Sequence, residues 1–177
     1  MPTTPRPKKS KINWSKYLIV LLLGLALVAF ILQSIPRGGA GVSRTPPGHS
    51  NPRFVDMGDL SILDEDGQQI IEIDIELAQG EEQTSRGLMW RRDMDEKEGM
   101  LFLMDSLKPQ SFWMLNTYIP LDIIYADENK RVVSIAEDTE PESLDPIPSG
   151  APAQYVLEVN AGFARRHGIR EGHQLVW

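Results

Sequence analysis

A chain of 177 residues has room for one globular domain and a tail, and the absence of cysteine excludes disulfides, zinc–thiolate sites, thiol nucleophiles and cysteine lipidation. The formal net charge of −7 is unevenly spread: residues 1–52 hold seven Lys/Arg and no acid, which leaves 11 basic and 25 acidic residues beyond them, a balance of −14. So acidic a body repels phosphate backbones, and no nucleic-acid partner is expected.

The chain opens with a basic tail (1–16), followed by an uncharged run, LIVLLLGLALVAFIL, from Leu18 to Leu32. Taken from 17 to 35, this run makes a helix of about 28 Å, close to the ~30 Å hydrocarbon thickness of a bilayer. Five positive charges precede it and only Arg37 follows closely, which predicts a signal anchor with its N-terminus in the cytoplasm. Trp14 and Tyr17 stand where interfacial aromatics anchor such a helix. The alternative is a signal peptide cleaved near Gly38–Ala40, which would release a secreted protein. Residues 36–52, rich in Pro, Gly and Ser, read as a flexible linker that cannot bury enough surface to order itself. Residues 53–177 then form an exported, extracytoplasmic domain, periplasmic or extracellular.

Within that domain, Leu60–Leu63 and Ile70–Ala78 flank the turn DEDG and predict a hairpin. In the second run Ile71, Ile73, Ile75 and Leu77 alternate with Glu72, Asp74 and Glu76, the pattern of a strand with one wet face. GEEQTSRGLMWRR, with acids early and arginines late, predicts a short helix. Arg91–Met100 mixes charge signs and reads as a solvated loop without calcium-loop spacing. Gly99–Met104 and Ser111–Thr117 read as two further strands. Leu121–Ala126 and Arg131–Ala136 make a hairpin around DENK. TEPESLDPIPSGAP, with four prolines, reads as a loop. Gln154–Val159 is a strand, GFARRHG a short helix ending at Gly168, and QLVW a last strand. The expected class is α+β: a β-rich, strongly bent sheet or small barrel with two short helices, preceded by one transmembrane helix.

Several of these segments stand in a recognisable order: RGLMWR (Arg86–Arg91), GMLFLM, SFWMLNTYIPLDIIYAD, IPSG, VLEVNAG (Val156–Gly162) and HGIREGH. Together they resemble domain-of-unknown-function family 192 over about residues 70–177. The resemblance implies a compact β-rich domain with short helices, often exported, and no established activity. Two positions depart from the family's habit: Leu115 stands where Lys is common and His173 where Asp is usual. Roles that need that ammonium or that carboxylate do not carry over to this chain.

Candidate site residues are the polar groups that interrupt apolar motifs. Asp122 lies among Leu121, Ile123, Ile124 and Tyr125, and a carboxylate so placed needs a cation or several N–H donors. Arg86 and Arg131 are the available cations. Asp122 is either a polar contact or general acid/base in a pocket, or a structural ion pair or turn-holding group. Asn116 and Thr117 precede a break at Pro120 and suit either backbone capping or ligand contact. Glu158 shares a face with Asn160, and a pair with Asp122 would serve glycan hydrolysis if the two lay ~5–9 Å apart. The domain's six methionines (57, 89, 94, 100, 104 and 114) contain no M-x-M pair, and His167 and His173 lack companions and read as surface residues. No metal or cofactor is expected. The reading is a membrane-tethered accessory domain that binds a small polar ligand or an envelope protein through Arg86, Asn116, Asp122 and Glu158, without catalysis. The alternatives are a cell-envelope hydrolase using Asp122 and Glu158, and a purely structural interaction module.

Overall fold

The computed structural model describes residues 51–177. The basic tail, the apolar span at 17–35 and most of the linker therefore lie outside the described residues. Among the described residues, no helix is long and apolar enough to cross a membrane.

The order of elements is β1 (Asp59–Leu63), β2 (Gln69–Gln79), α1 (Gly80–Arg86), β3 (Glu98–Phe112), β4 (Leu121–Ala126), β5 (Val132–Ala136), β6 (Ile147–Asn160), α2 (Phe163–His167) and β7 (Gln174–Val176). The strands form one sheet in the order β5-β4-β6-β3-β2-β1-β7. All neighbours are antiparallel except β2 and β3, which α1 joins as a parallel crossover. The two edges of the sheet meet. Arg131 bridges Gln174, and the Val132 and Leu175 amides donate to the carbonyls of His173 and Lys130 at 2.8 and 2.9 Å. The sheet is thus curled nearly into a barrel, which leaves little unpaired edge.

Curling gives the sheet two buried faces. The inner face gathers Leu60, Ile62, Ile73, Ile75, Leu101, Ile124, Leu157, Val159 and Leu175, with Phe163 and Ala164 of α2 packed against them. On the outer face of β3, β4 and β6 lie Met100, Phe102, Ile123, Tyr125 and Val156, covered by Leu88, Met114 and Ile119 from the connections. A strand covered on both sides has no reason to alternate, and all six residues of β4 are buried. Each large side chain so placed contributes roughly 1.5–3 kcal/mol.

Turn chemistry explains the hairpins. The Asp64 carboxylate accepts from the Asp66 and Gln68 amides, and that of Asp127 from the Asn129 and Arg131 amides, all at 2.8–2.9 Å.

Five expectations need correction. The first helix stops at Arg86, six residues short of the expected end, because Gly87 takes φ +45°, ψ −134°, which only glycine adopts without strain. Ser111–Thr117 is not a separate strand. β3 runs through to Phe112, and the chain then turns, with Asn116 left-handed at φ +55°. The proline-rich loop is shorter than its composition suggests, since β6 begins at Ile147. Pro109 and Pro152 face each other and neither can donate to the ladder. Side chains supply the missing bonds: the Gln110 amide N–H donates to Ser149 Oγ, and Gln110 Nε2 donates to the Ala153 carbonyl. His173 is buried, not a surface residue, because it sits on the seam where the sheet edges meet. Lastly, Arg91 is not in a solvated loop. It is buried against Glu76, whose other carboxylate oxygen accepts from the Val55 amide at 2.8 Å.

The Arg91–Glu76 pair yields a stability prediction. Glu76→Ala leaves a buried guanidinium without its partner and should cost about 3–5 kcal/mol in chemical denaturation. Adding Arg91→Met should recover much of that loss.

Candidate functional site

Three connections build a cavity of about 480 Å³ on the outer face of the sheet. The first is the end of α1 and the turn after it, from Thr84 to Met89. The second is the segment Ser111–Trp113 with Leu115 and Thr117, and the third is Leu144 and Pro146 ahead of β6. Phe102, Met104 and Glu158 form its floor from the sheet. The first two walls are tied together where the Trp90 amide donates to the Asn116 carbonyl at 2.6 Å. Both of these residues are left-handed, at φ +66° and +55°.

Gly87 sets how closely the first wall approaches the floor. A Cβ there would lie 3.1 Å from Phe102 Cζ and 3.8 Å from Glu158 Oε2. Behind the floor, Phe102 meets Phe112 edge-on at 5.0 Å, and Phe112 meets Tyr125 at 6.0 Å. These rings fix the apolar walls. Trp113 is half exposed at the mouth.

Register determines which carboxylates reach this cavity. On β6, Glu158 lies opposite Met100 of β3 and Ile123 of β4, so it shares their outer face. Asp122 lies opposite Val159, one position along, and therefore points to the inner face. The two acids stand on opposite sides of the sheet and do not form a hydrolytic pair.

Their environments differ accordingly. Asp122 is fully buried, and its carboxylate accepts three backbone bonds: from Asp138 at 2.9 Å, Gly162 at 3.0 Å and Ala164 at 2.9 Å. Neither Arg86 nor Arg131 pairs with it. It holds the start of α2 and the chain after β5 against β4, the turn-holding alternative. Asn116 does not line the cavity either: its role is the backbone turn just described, although its neighbours Leu115 and Thr117 are in the wall. Of the four expected residues, Arg86 and Glu158 are brought together.

Glu158 is 4% exposed, and among the described residues it has neither a hydrogen-bond donor nor a cation partner. Burial among Phe102, Met100 and Ile123 pushes its carboxyl from 4.5 up to about 8. At neutral pH the group is therefore mostly a protonated acid facing the cavity. Tyr125, whose hydroxyl donates to the Ile147 carbonyl at 2.7 Å, is raised as well, first by its burial and then by Glu158. Arg86 lines the same cavity, and its guanidinium makes no ion pair among the described residues.

Sequence reasoning missed most of the wall: Thr84, Ser85, Leu88, Met89, Ser111 and Trp113. The one available signal was the half-apolar, glycine-containing RGLMWR, which is a poor helix and a good wall. Leu115, where a lysine was anticipated from the resemblance, leaves that wall without its ammonium.

Comparisons with known proteins follow the same fold. The family model DUF192, described as an uncharacterized ACR, matches residues 62–177. A protein of unknown function from Novosphingobium aromaticivorans DSM 12444 is 32% identical, with a TM-score of 0.65 over 79% of this chain and 100% of that one. A protein from Sinorhizobium meliloti 1021, provisionally described as a transcription regulator, is 36% identical, with a TM-score of 0.64 over 67% of this chain and 91% of that one. No curated protein matches.

Proposed function

The chain belongs to domain-of-unknown-function family 192, and from that premise we propose that it is an accessory domain that binds a small ligand in the cavity above Glu158. One observation carries the reading: a carboxyl group nine-tenths buried, without a partner among the described residues, presented to a cavity of small-molecule size. A purely structural domain gains nothing from burying such a group at the floor of an open cavity. Substitution by an apolar side chain would serve packing better. The uncharged run at 18–32, flanked by basic residues, supports tethering to a lipid bilayer with the domain on the extracytoplasmic side. The exposed Trp113 and Leu144 at the mouth also suit an envelope protein that would cover the cavity.

The test is a small-molecule screen on the full-length chain, read by thermal shift. Compounds that bind the cavity raise Tm with concentration. Ser111→Trp, which fills the mouth from an exposed position, should abolish those shifts while leaving Tm without ligand within a few degrees. Shifts that persist in Ser111→Trp would place the binding elsewhere. A flat screen together with recovery of a protein partner would favour the interaction-module alternative.

A further inference from the structure

The charges of the cavity indicate what kind of molecule completes it, an inference that rests on the ligand-binding reading above. Two groups of opposite sign line one space and do not pair with each other. Glu158 lies on the floor with Met100 and Ile123 beside it on the sheet, and Arg86 lies on the wall at the end of α1. An anion alone would satisfy the guanidinium and leave the buried carboxyl unmet. A cation alone would meet the carboxyl and leave the guanidinium, which is exposed and hydrated, unused as a contact. Between them the surface is largely apolar, with Phe102, Phe112 and Trp113 within the same lining.

We propose that the occupant is a free α-amino acid with an apolar, preferably aromatic, side chain. Its ammonium meets Glu158, its carboxylate meets the Arg86 guanidinium, and its side chain lies along Phe112 and Trp113. A guanidinium fork suits a carboxylate, and a carboxylate at the floor beside aromatic faces suits an ammonium. The cavity's ~480 Å³ lies within the range of about 300–1,000 Å³ usual for small-molecule sites.

Binding then moves one proton. In the free protein Glu158 is protonated up to about pH 8. As the ammonium seats, the carboxyl loses its proton to solvent and becomes the counter-ion. The titratable group coupled to it is Tyr125 of β4; Arg86 of α1 lines the same cavity, and Met100 and Phe102 of β3 carry no charge. Tyr125, raised by its burial, stays neutral, so the released proton is that of Glu158. Affinity should accordingly rise about tenfold per pH unit below pH 8, and fall again once the ligand's own ammonium begins to lose its proton.

Titration calorimetry of the full-length chain with L-phenylalanine, in two buffers of different protonation enthalpy, tests this. The expected result is release of nearly one proton per ligand at pH 6.5, shrinking as pH rises through about 8 and turning to uptake where the ligand's own ammonium is deprotonated in solution. N-acetylphenylalanine, which lacks the ammonium, and phenylalaninamide, which lacks the carboxylate, should each bind at least tenfold more weakly. Glu158→Gln should abolish the proton release, and Arg86→Ala should remove the preference over the amide. Equal affinity for phenylalanine and N-acetylphenylalanine, or binding without proton release, would overturn the inference. Indole separates the two levels: if it binds as tightly as phenylalanine, the cavity reading stands and the zwitterion falls. If none of these probes binds, both fall.

Discussion

Glu158→Gln should make the protein more stable than the parent at pH 9 and nearly equal to it at pH 5. In the parent, the folded carboxyl titrates near 8 and the unfolded one near 4.5. Between those values the folded state holds a proton that the unfolded state has lost, so stability falls as pH rises through the window. Below it both states are protonated and nothing is lost. Above it the folded state carries a buried charge without a partner. Each pH unit of such a window corresponds to about 1.4 kcal/mol, so the difference reaches a few kcal/mol at its alkaline end. Glutamine keeps the shape and removes the titration. Denaturant unfolding of both proteins from pH 5 to 9, compared as a difference, cancels the other titrating groups. A difference that stays constant across the range would mean that Glu158 is ionised in the folded protein, with a cation beside it.

Asp122→Ala should be the most damaging single change on the inner face. It removes the acceptor for the amides of Asp138, Gly162 and Ala164. Those donors lie where water does not easily replace a carboxylate, and each orphaned one costs about 1–3 kcal/mol. The total approaches the whole stability of an ordinary domain, so the expected outcome is an unfolded or aggregating protein at 37 °C. Asp122→Asn is more informative. Its amide oxygen can serve the shared position that accepts from Asp138 and Gly162, but its NH2 then faces the Ala164 N–H, donor against donor. The loss should be smaller than for alanine yet well above 1 kcal/mol. Hydrogen exchange should show it first at Gly162 and Ala164, at the start of α2. An Asp122→Asn protein as stable as the parent would remove Asp122 from its structural role.

These two acids show what could be read from the chain and what could not. Both stood out because they interrupt apolar runs, and both are buried. The faces they occupy follow from register: Asp122 is opposite Val159, and Glu158 opposite Ile123. A one-residue slip between β4 and β6 would bring the two onto one face, and nothing local to either strand fixes that pairing. The alternating β2, the Asp64 and Asp127 turns and the glycine-ended α2 were legible because their determinants lie within a few residues of one another. The extent of β6 was not. Its prolines argue for a loop, and only the side chains of Gln110 and Ser149, brought in by tertiary pairing, let the ladder continue. Arg91 was hidden for a related reason: its partner Glu76 lies at the far end of a strand whose other acids, Glu72 and Asp74, are exposed. Arg86 lines the cavity at the end of a helix that stops six residues earlier than the sequence suggests.

The central claim is that Glu158 is a buried acid held ready for something the protein does not itself supply. Its side-chain carboxyl carbon can be followed by NMR across pH in selectively labelled protein without ligand. The account predicts a midpoint near 8. A midpoint near 4.5, the ordinary value for a glutamate, would contradict it.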